Sequence, residues 1–373
     1  MIRVTNRLLG MKRRLIFGKG ERRLALVSYV LFLPYELNWY FEGSHNNKLM
    51  CFAMVKSLIE LGYEVHVHDY LDEQVDFGAG YSLFVGHNRT FSAISSKLSD
   101  CCQKILITTG SSPAFDNQQL EWRNADLQRR KNTQYVYYQK TRNSDYARKN
   151  FEVADLVFMI GNDFVKATWY PEFKHKYRSY HNIVTFPRQK KTTSGGHFVF
   201  MSGHGQLRRG LDLLLEVFSE RSEKLFVRSP YQLEPDFAKL FSKQLSQPNI
   251  ISLGFLETRS REFQELILQS DFVILPSCSE GESGSVLNLM AAGLIPVITE
   301  NVGLSDVESF GFLIKDITVE GVEEVLNRIL ASSPSEIEEK RRSTYRKLEE
   351  FTRSEFEDRF KESILELTVG YKE

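Results

Sequence analysis

PSCSEGESGSVLNLMAAGLIPVITENVGLSD, residues 276–306, is the stretch on which the fold turns. It follows an apolar run at 272–275 that reads as a strand, and it opens with a carboxylate, Glu280, in a Gly/Ser turn. Helix-spaced apolar residues then occupy 285–292, and a second apolar strand follows at 295–299. Strand, turn, helix and strand in that order make a parallel crossover unit. The turn has a chemistry of its own. Gly281, Ser283, Gly284 and Ser285 let a ligand approach the backbone closely, and the unpaired N–H groups and positive dipole end of the following helix suit a phosphate or diphosphate. The alternative for Glu280 and Asn288 is simple capping and solvation of a helix terminus.

The same alternation extends upstream. Strands at 197–201, 224–228 and 250–253 are separated by helices at 211–219, 236–245 and 261–269. Before residue 186, strands at 24–30, 63–68, 81–85, 104–108 and 155–160 alternate with helical segments at 46–61, 91–98 and 117–130. Between the halves the composition drops to FPRQKKTTSGG, 186–196, polar and flanked by Pro and Gly, which marks a linker. These patterns predict an α/β protein of two Rossmann-like, doubly wound parallel-sheet domains. Ligands are then expected in the cleft where the carboxyl ends of the two sheets face each other. A length of 373 residues agrees, because a single core stops growing below that size. The expected divisions are a basic tail at 1–23, a domain at 24–185, the linker, a domain at 197–350 and a carboxy-terminal helix at 351–373 that packs back on the first domain.

In this setting residues 276–306 resemble the donor-binding signature of the family-4-like retaining glycosyltransferases, the glycosyl transferases group 1, whose fold is GT-B. In that family a Glu, seven residues and a second Glu face the donor. By the resemblance Glu280 lies near the sugar hydroxyls, and Asn288 stands where the family has the Glu that holds the nucleotide ribose. Asn can bond a ribose hydroxyl, but it lacks the stronger charge-assisted acceptor. A second constellation, FVFMSGHGQLRRGLDLLLEVF at 198–218, opens the later domain as strand, glycine-containing loop and helix. It is similar to the family's Gly-Arg loop followed by Lys-Gly, in which two cations hold the donor phosphates. With Gly203 and Gly210 in register, His204 falls at the Arg position and Arg209 at the Lys position. Arg209 keeps a charge that can grip phosphate bidentately, whereas His204 is largely neutral near pH 7 unless an anion raises its pKa. A cation at the positive end of a helix is disfavoured unless an anion sits there, which favours a functional Arg209 over a solvated helix start.

In the first half, Gly43, Ser44 and His45 resemble the family's glycine-rich loop beneath donor and acceptor. Thr109 and Gly110 end another strand facing the same cleft, where many relatives carry a His and this chain has none. Aromatic residues in 31–41 and 113–144, among them Trp39, Tyr40, Trp122 and Tyr135, suit sugar stacking and packing equally.

Composition excludes several classes. Lys+Arg and Asp+Glu both number 48, which gives no electrostatic argument for nucleic acid. Cys51, Cys101, Cys102 and Cys278 show neither metal-ligand nor disulfide spacing, and a reducing cytoplasm is the expected setting. No apolar run approaches the roughly 18 to 20 residues of a membrane span. Residues 1–23 hold eight Lys/Arg against one Glu. They read as a solvated tail or as a peripheral contact with an anionic membrane, where each basic residue contributes about 1 kcal/mol. The Asp-X-Asp triplet, Walker loop, nucleophile elbow and two-His helix motif are all missing, so the expected chemistry uses no metal and no cofactor beyond a nucleoside diphosphate sugar as co-substrate. The expectation is transfer of a hexosyl unit to an acceptor hydroxyl on a glycan, a lipid-linked or a protein-linked acceptor, with retention as the resemblance implies. The alternative is a catalytically silent sugar-nucleotide-binding subunit.

Overall fold

The computed structural model describes residues 2–5, 14–17, 23–31, 46–72, 75, 77–134, 145–189, 191, 195–254 and 260–369. Two sheets organise the chain. The first has eight strands: β1 (Ile2–Thr5), β2 (Arg14–Phe17), β3 (Arg23–Tyr29), β4 (Tyr63–Asp69), β5 (Leu83–His87), β6 (Gln103–Thr108), β7 (Leu156–Ile160) and β8 (Tyr177–Tyr180). Their order is β1-β2-β4-β3-β5-β6-β7-β8, and every pairing from β4 to β8 is parallel. The second sheet, β9 (His197–Met201), β10 (Leu225–Arg228), β11 (Ile250–Ser252), β12 (Ser270–Leu275), β13 (Ile295–Thr299) and β14 (Phe312–Ile314), is parallel throughout in the order β11-β10-β9-β12-β13-β14. Central strands such as β7 and β12 are buried along their whole length, as a sheet covered by helices on both faces requires.

One expectation changes at the amino terminus. Within the stretch read as a basic tail, β1 and β2 pair antiparallel, and β2 pairs antiparallel with β4, so the edge of the first sheet is extended. The physical reason is the local apolar run Leu15-Ile16-Phe17, whose Phe17 is buried in the first domain's core.

In each sheet the strand order reverses at one place, between β3 and β5 in the first and between β9 and β12 in the second. Loops leaving adjacent strands at such a reversal diverge to opposite faces and open a crevice at the carboxyl ends. The functional loops are therefore those after β9 and β12 on one side, and after β3, β5 and β6 on the other.

Two helices cross the domain boundary in opposite directions. The helix Pro113–Lys131 starts on a Ser112 cap, whose hydroxyl accepts from Phe115 N at 3.2 Å, and ends on left-handed Asn132. Although it follows β6 of the first sheet, its Leu120 and Leu127 are buried in the core of the second domain. Its charged side joins that domain as well: fully buried Arg123 bonds Asp126 and Asp212 at 2.6 Å each, and Arg130 pairs with Asp126, Asp212 and Glu216. The helix Arg353–Val369 returns the other way, placing Phe356, Phe360 and Ile364 in the core of the first domain. Beside it the chain crosses outward, and Val184 N donates to Phe351 O at 3.0 Å where the two crossings meet.

Candidate functional site

The loop after β9 and the loop after β12 are knitted together before either reaches the cleft. Cys278 N donates to Arg208 O at 2.9 Å, and Ser277 Oγ reaches the same carbonyl at 3.3 Å. Gly210 ends the first loop in the left-handed region at φ +77, with the Pro276 carbonyl where a Cβ would stand, so only glycine fits. Burial pushes the Cys278 thiol up to about 12, which leaves it a neutral packing group behind the turn. This scaffold sends two adjacent arginines in different directions. Arg208 is buried, and its guanidinium bonds both Asp116 oxygens at 2.9 and 3.0 Å, fastening the second domain to the Pro113–Lys131 helix. Arg209 points into the cleft and forms an ion pair with Glu280.

Glu280 stands where the two domains touch. Its carbonyl accepts from Ser111 N and Ser111 Oγ, both at 3.1 Å. Gly281 packs so closely on Gly110 and the Thr109 carbonyl that a Cβ would collide with them. Gly110 O in turn accepts from Trp169 Nε1 at 2.8 Å. The Thr109-Gly110-Ser111 loop thus closes directly over the Glu280-Gly281 peptide. Behind it Ser283 precedes the helix Gly284–Ala291, its hydroxyl 3.0 Å from that of Ser285. The first N–H groups of that helix have no partner within it, as at any helix start.

Together these elements enclose a cleft of about 790 Å³. Of the residues singled out in sequence, Thr109, Gly110, Arg209, Glu280, Gly281, Ser283 and Gly284 line it. Four of the others, Ser285, Gly203, His204 and Asn288, are not brought there. Ser285 stands one position further into the helix and does not line the cleft. Gly203 and His204 are exposed outside it, and the loop amides next to them already hold an anion from the chain itself: Gly205 N and Gln206 N donate to the Glu234 carboxylate at 2.8 and 3.2 Å. Asn288 is buried, and its amide oxygen accepts from Thr185 N at 3.0 Å and Thr185 Oγ1 at 3.2 Å. It serves the domain crossover where the sequence suggested a ribose contact. Gly43, Ser44 and His45 lie outside the described residues. Asn46, the next in line, places its side-chain amide against Gly284 and donates to Ile183 O at 2.5 Å.

Sequence reasoning missed several lining residues. His87 ends β5, its Nδ1 2.8 Å from Ile107 O and its ring between Tyr29 and Tyr70. Its position at a strand's carboxyl end beside the order reversal was the available signal. Glu282 carried none, because a carboxylate is the wrong residue type for an anion-binding turn. Among the described residues no group of three or more His, Cys, Asp or Glu side chains is placed to hold a metal ion, and no helix is long and apolar enough to cross a membrane.

Two doubly wound domains facing across a cleft, with a helix-start turn on one wall, define the GT-B architecture. Residues 196–332, most of the second domain, match the family described as Glycosyl transferases group 1. Among solved structures, the chain is similar to a sucrose-phosphate synthase from Thermosynechococcus elongatus, with TM-score 0.68 and 11% identity over 94% of this chain and 100% of that one. It is also similar to HepE from Anabaena, solved in complex with UDP and glucose, with TM-score 0.58 and 12% identity over 92% and 99% of the two chains. A likeness to TarM (TM-score 0.50, 12% identity) covers 77% of this chain but spans only 54% of that protein. At these identities the likeness is one of fold. No curated protein matches the chain in sequence.

Proposed function

We propose that this protein transfers a hexosyl unit from a nucleoside diphosphate sugar to an acceptor hydroxyl on a glycan, lipid-linked or protein-linked acceptor, with retention and without a metal. The observation that carries the reading is that Arg209 and Glu280 line the interdomain cleft together, beside the Gly281-to-Gly284 turn. The turn amides and Arg209 are suited to a diphosphate, and Glu280, released from Arg209 when phosphate takes its place, is suited to the hydroxyls of the donor sugar. Charge developing on the departing diphosphate would then be met by fixed donors, which is where electrostatic catalysis has its largest effect. The group 1 match over 196–332 supports the class of reaction. The basic excess of residues 1–23 would suit an anionic membrane surface presenting a lipid-linked acceptor.

Activity is tested with a panel of nucleoside diphosphate sugars, scoring release of the diphosphate. Glu280→Ala is expected to lower kcat/KM on the accepted donor at least tenfold. A rate within twofold of the parent would refute the assignment. A second reading, a sugar-nucleotide-binding subunit without transfer, is favoured by one observation: the amides of Gly205 and Gln206 are already occupied by Glu234. Nucleotide binding with no turnover across the panel would select it.

A further inference from the structure

The donor turn contains a residue that neither its conformation nor its charge would recommend. Glu282 sits in the left-handed region at φ +37, where a glycine would be free of strain and a glutamate is not. It also brings a carboxylate to a turn otherwise suited to anions. Both oxygens of that carboxylate, which is fully buried, are taken by the segment leaving β8: His181 Nδ1 lies 2.6 Å from Oε1, and Asn182 N donates to Oε2 at 2.6 Å. Asn182 Nδ2 donates in addition to the Glu282 carbonyl at 2.9 Å. His181 is backed by the second crossing, with its ring edge on Phe351 and Nε2 3.8 Å from Glu350, which Lys347 holds at 2.9 Å. Six residues further along, Asn288 takes the Thr185 amide in the same fashion. The segment 181–185 therefore lies against the turn and the helix behind it, fastened at both ends.

We propose that Glu282 is a positioning residue that ties the diphosphate-binding turn to the first domain crossover, so that the turn holds its left-handed, ligand-ready shape through the crossover's hydrogen bonds. The inference rests on the proposed function for its ligand, a nucleoside diphosphate, but the tie itself does not. Without the tether a non-glycine residue relaxes to negative φ, which rotates the peptides on either side and changes the shape of the turn that leads into the Gly284–Ala291 helix. A diphosphate bridges more of such a turn than a monophosphate does, so its binding is expected to suffer most.

The full chain is titrated calorimetrically with UDP and with uridine monophosphate. Glu282→Ala is expected to weaken UDP at least tenfold and the monophosphate less than threefold, a split that general loss of structure would not produce. Glu282→Gln, which retains an acceptor for the Asn182 amide, is expected to keep at least a third of the UDP affinity. Glu282→Gly removes the tether but is at ease at positive φ, so it is expected to keep more UDP affinity than Glu282→Ala, and its hydrogen exchange decides the tether if the alanine variant does not fold. In the unliganded protein, amide hydrogen exchange at 181–185 and 281–285 should quicken together at least tenfold in Glu282→Ala or Glu282→Gly, with 211–218 unchanged. UDP affinity within twofold of the parent in folded Glu282→Ala, or unaltered exchange at both segments, overturns the proposal. A parent that binds neither UDP nor any other nucleoside diphosphate would instead sink the functional reading, and the exchange result would still decide the tether.

Discussion

Glu280 and Asn288 show how differently two polar residues of one motif are spent. Glu280 was readable from sequence because its position, at the end of a buried strand and before a helix, leaves it nowhere to go but the cleft. Asn288 sits on the second turn of that helix, and spacing alone could not say which neighbour its amide would meet. The structure gives it Thr185, with both the backbone N–H and the hydroxyl directed at one oxygen. Asn288→Ala would leave a buried N–H unsatisfied, at a cost of about 1 to 3 kcal/mol. The expected outcome is a lower melting temperature with UDP affinity within twofold of the parent, read by calorimetry. A selective loss of UDP binding with unchanged stability would restore the ribose contact implied by resemblance.

At the scale of elements, the alternation of strands and helices was legible because buried parallel strands are continuous apolar runs and the helices between them carry a 3.6-residue stripe. What the stripe does not name is the partner. The helix Pro113–Lys131 looks in sequence like an ordinary return from β6, yet it carries the buried ionic contact with Asp212 and Glu216 of the other domain. Removing one member of such a cluster leaves an uncompensated charge, so Arg123→Ala should destabilise by about 3 to 5 kcal/mol, whereas Arg123→Met combined with Asp212→Leu should recover much of that loss. Chemical denaturation of the single and double variants measures both. The same contact has an acid limit. Burial by itself would raise the Asp126 pKa, but Arg130 and Arg123 outweigh it and hold the carboxyl below its ordinary value. The unfolded chain therefore binds the proton first as pH falls. The contribution of Asp126 to stability is complete above about pH 4 to 5 and is lost as pH drops further toward the native value. Melting temperatures of the parent should accordingly fall more steeply below pH 4 than those of Asp126→Asn, and parallel curves would show that the carboxylate plays no such part.

For the whole molecule, two sheets joined by a linker would ordinarily unfold as two units. Here each domain lends a helix to the other's core, Leu120 and Leu127 in one direction and Phe356, Phe360 and Ile364 in the other. Composition drew the boundary at 186–196 because polar residues mark where the chain crosses, but a core is defined by what packs, and packing joins residues far apart in sequence. The crossing segments are also tied to each other at Val184 and Phe351 and to the turn before the Gly284–Ala291 helix at Glu282. Opening the cleft therefore means breaking these contacts as a set, which couples the site's geometry to the stability of the assembly. The returning helix supplies the clearest measure. Burial of a large apolar side chain contributes about 1.5 to 3 kcal/mol, so Phe356, Phe360 and Ile364 together contribute roughly 5 to 9 kcal/mol to the first domain. That is comparable with the whole stability of a typical domain, about 5 to 15 kcal/mol. A chain ending at residue 352 is thus expected to lose the first domain's cooperative melting while the parent shows a single calorimetric transition. Scanning calorimetry distinguishes the cases: a truncated chain that still melts in one transition within a few degrees of the parent would mean that the exchanged helix is not what holds the first domain together.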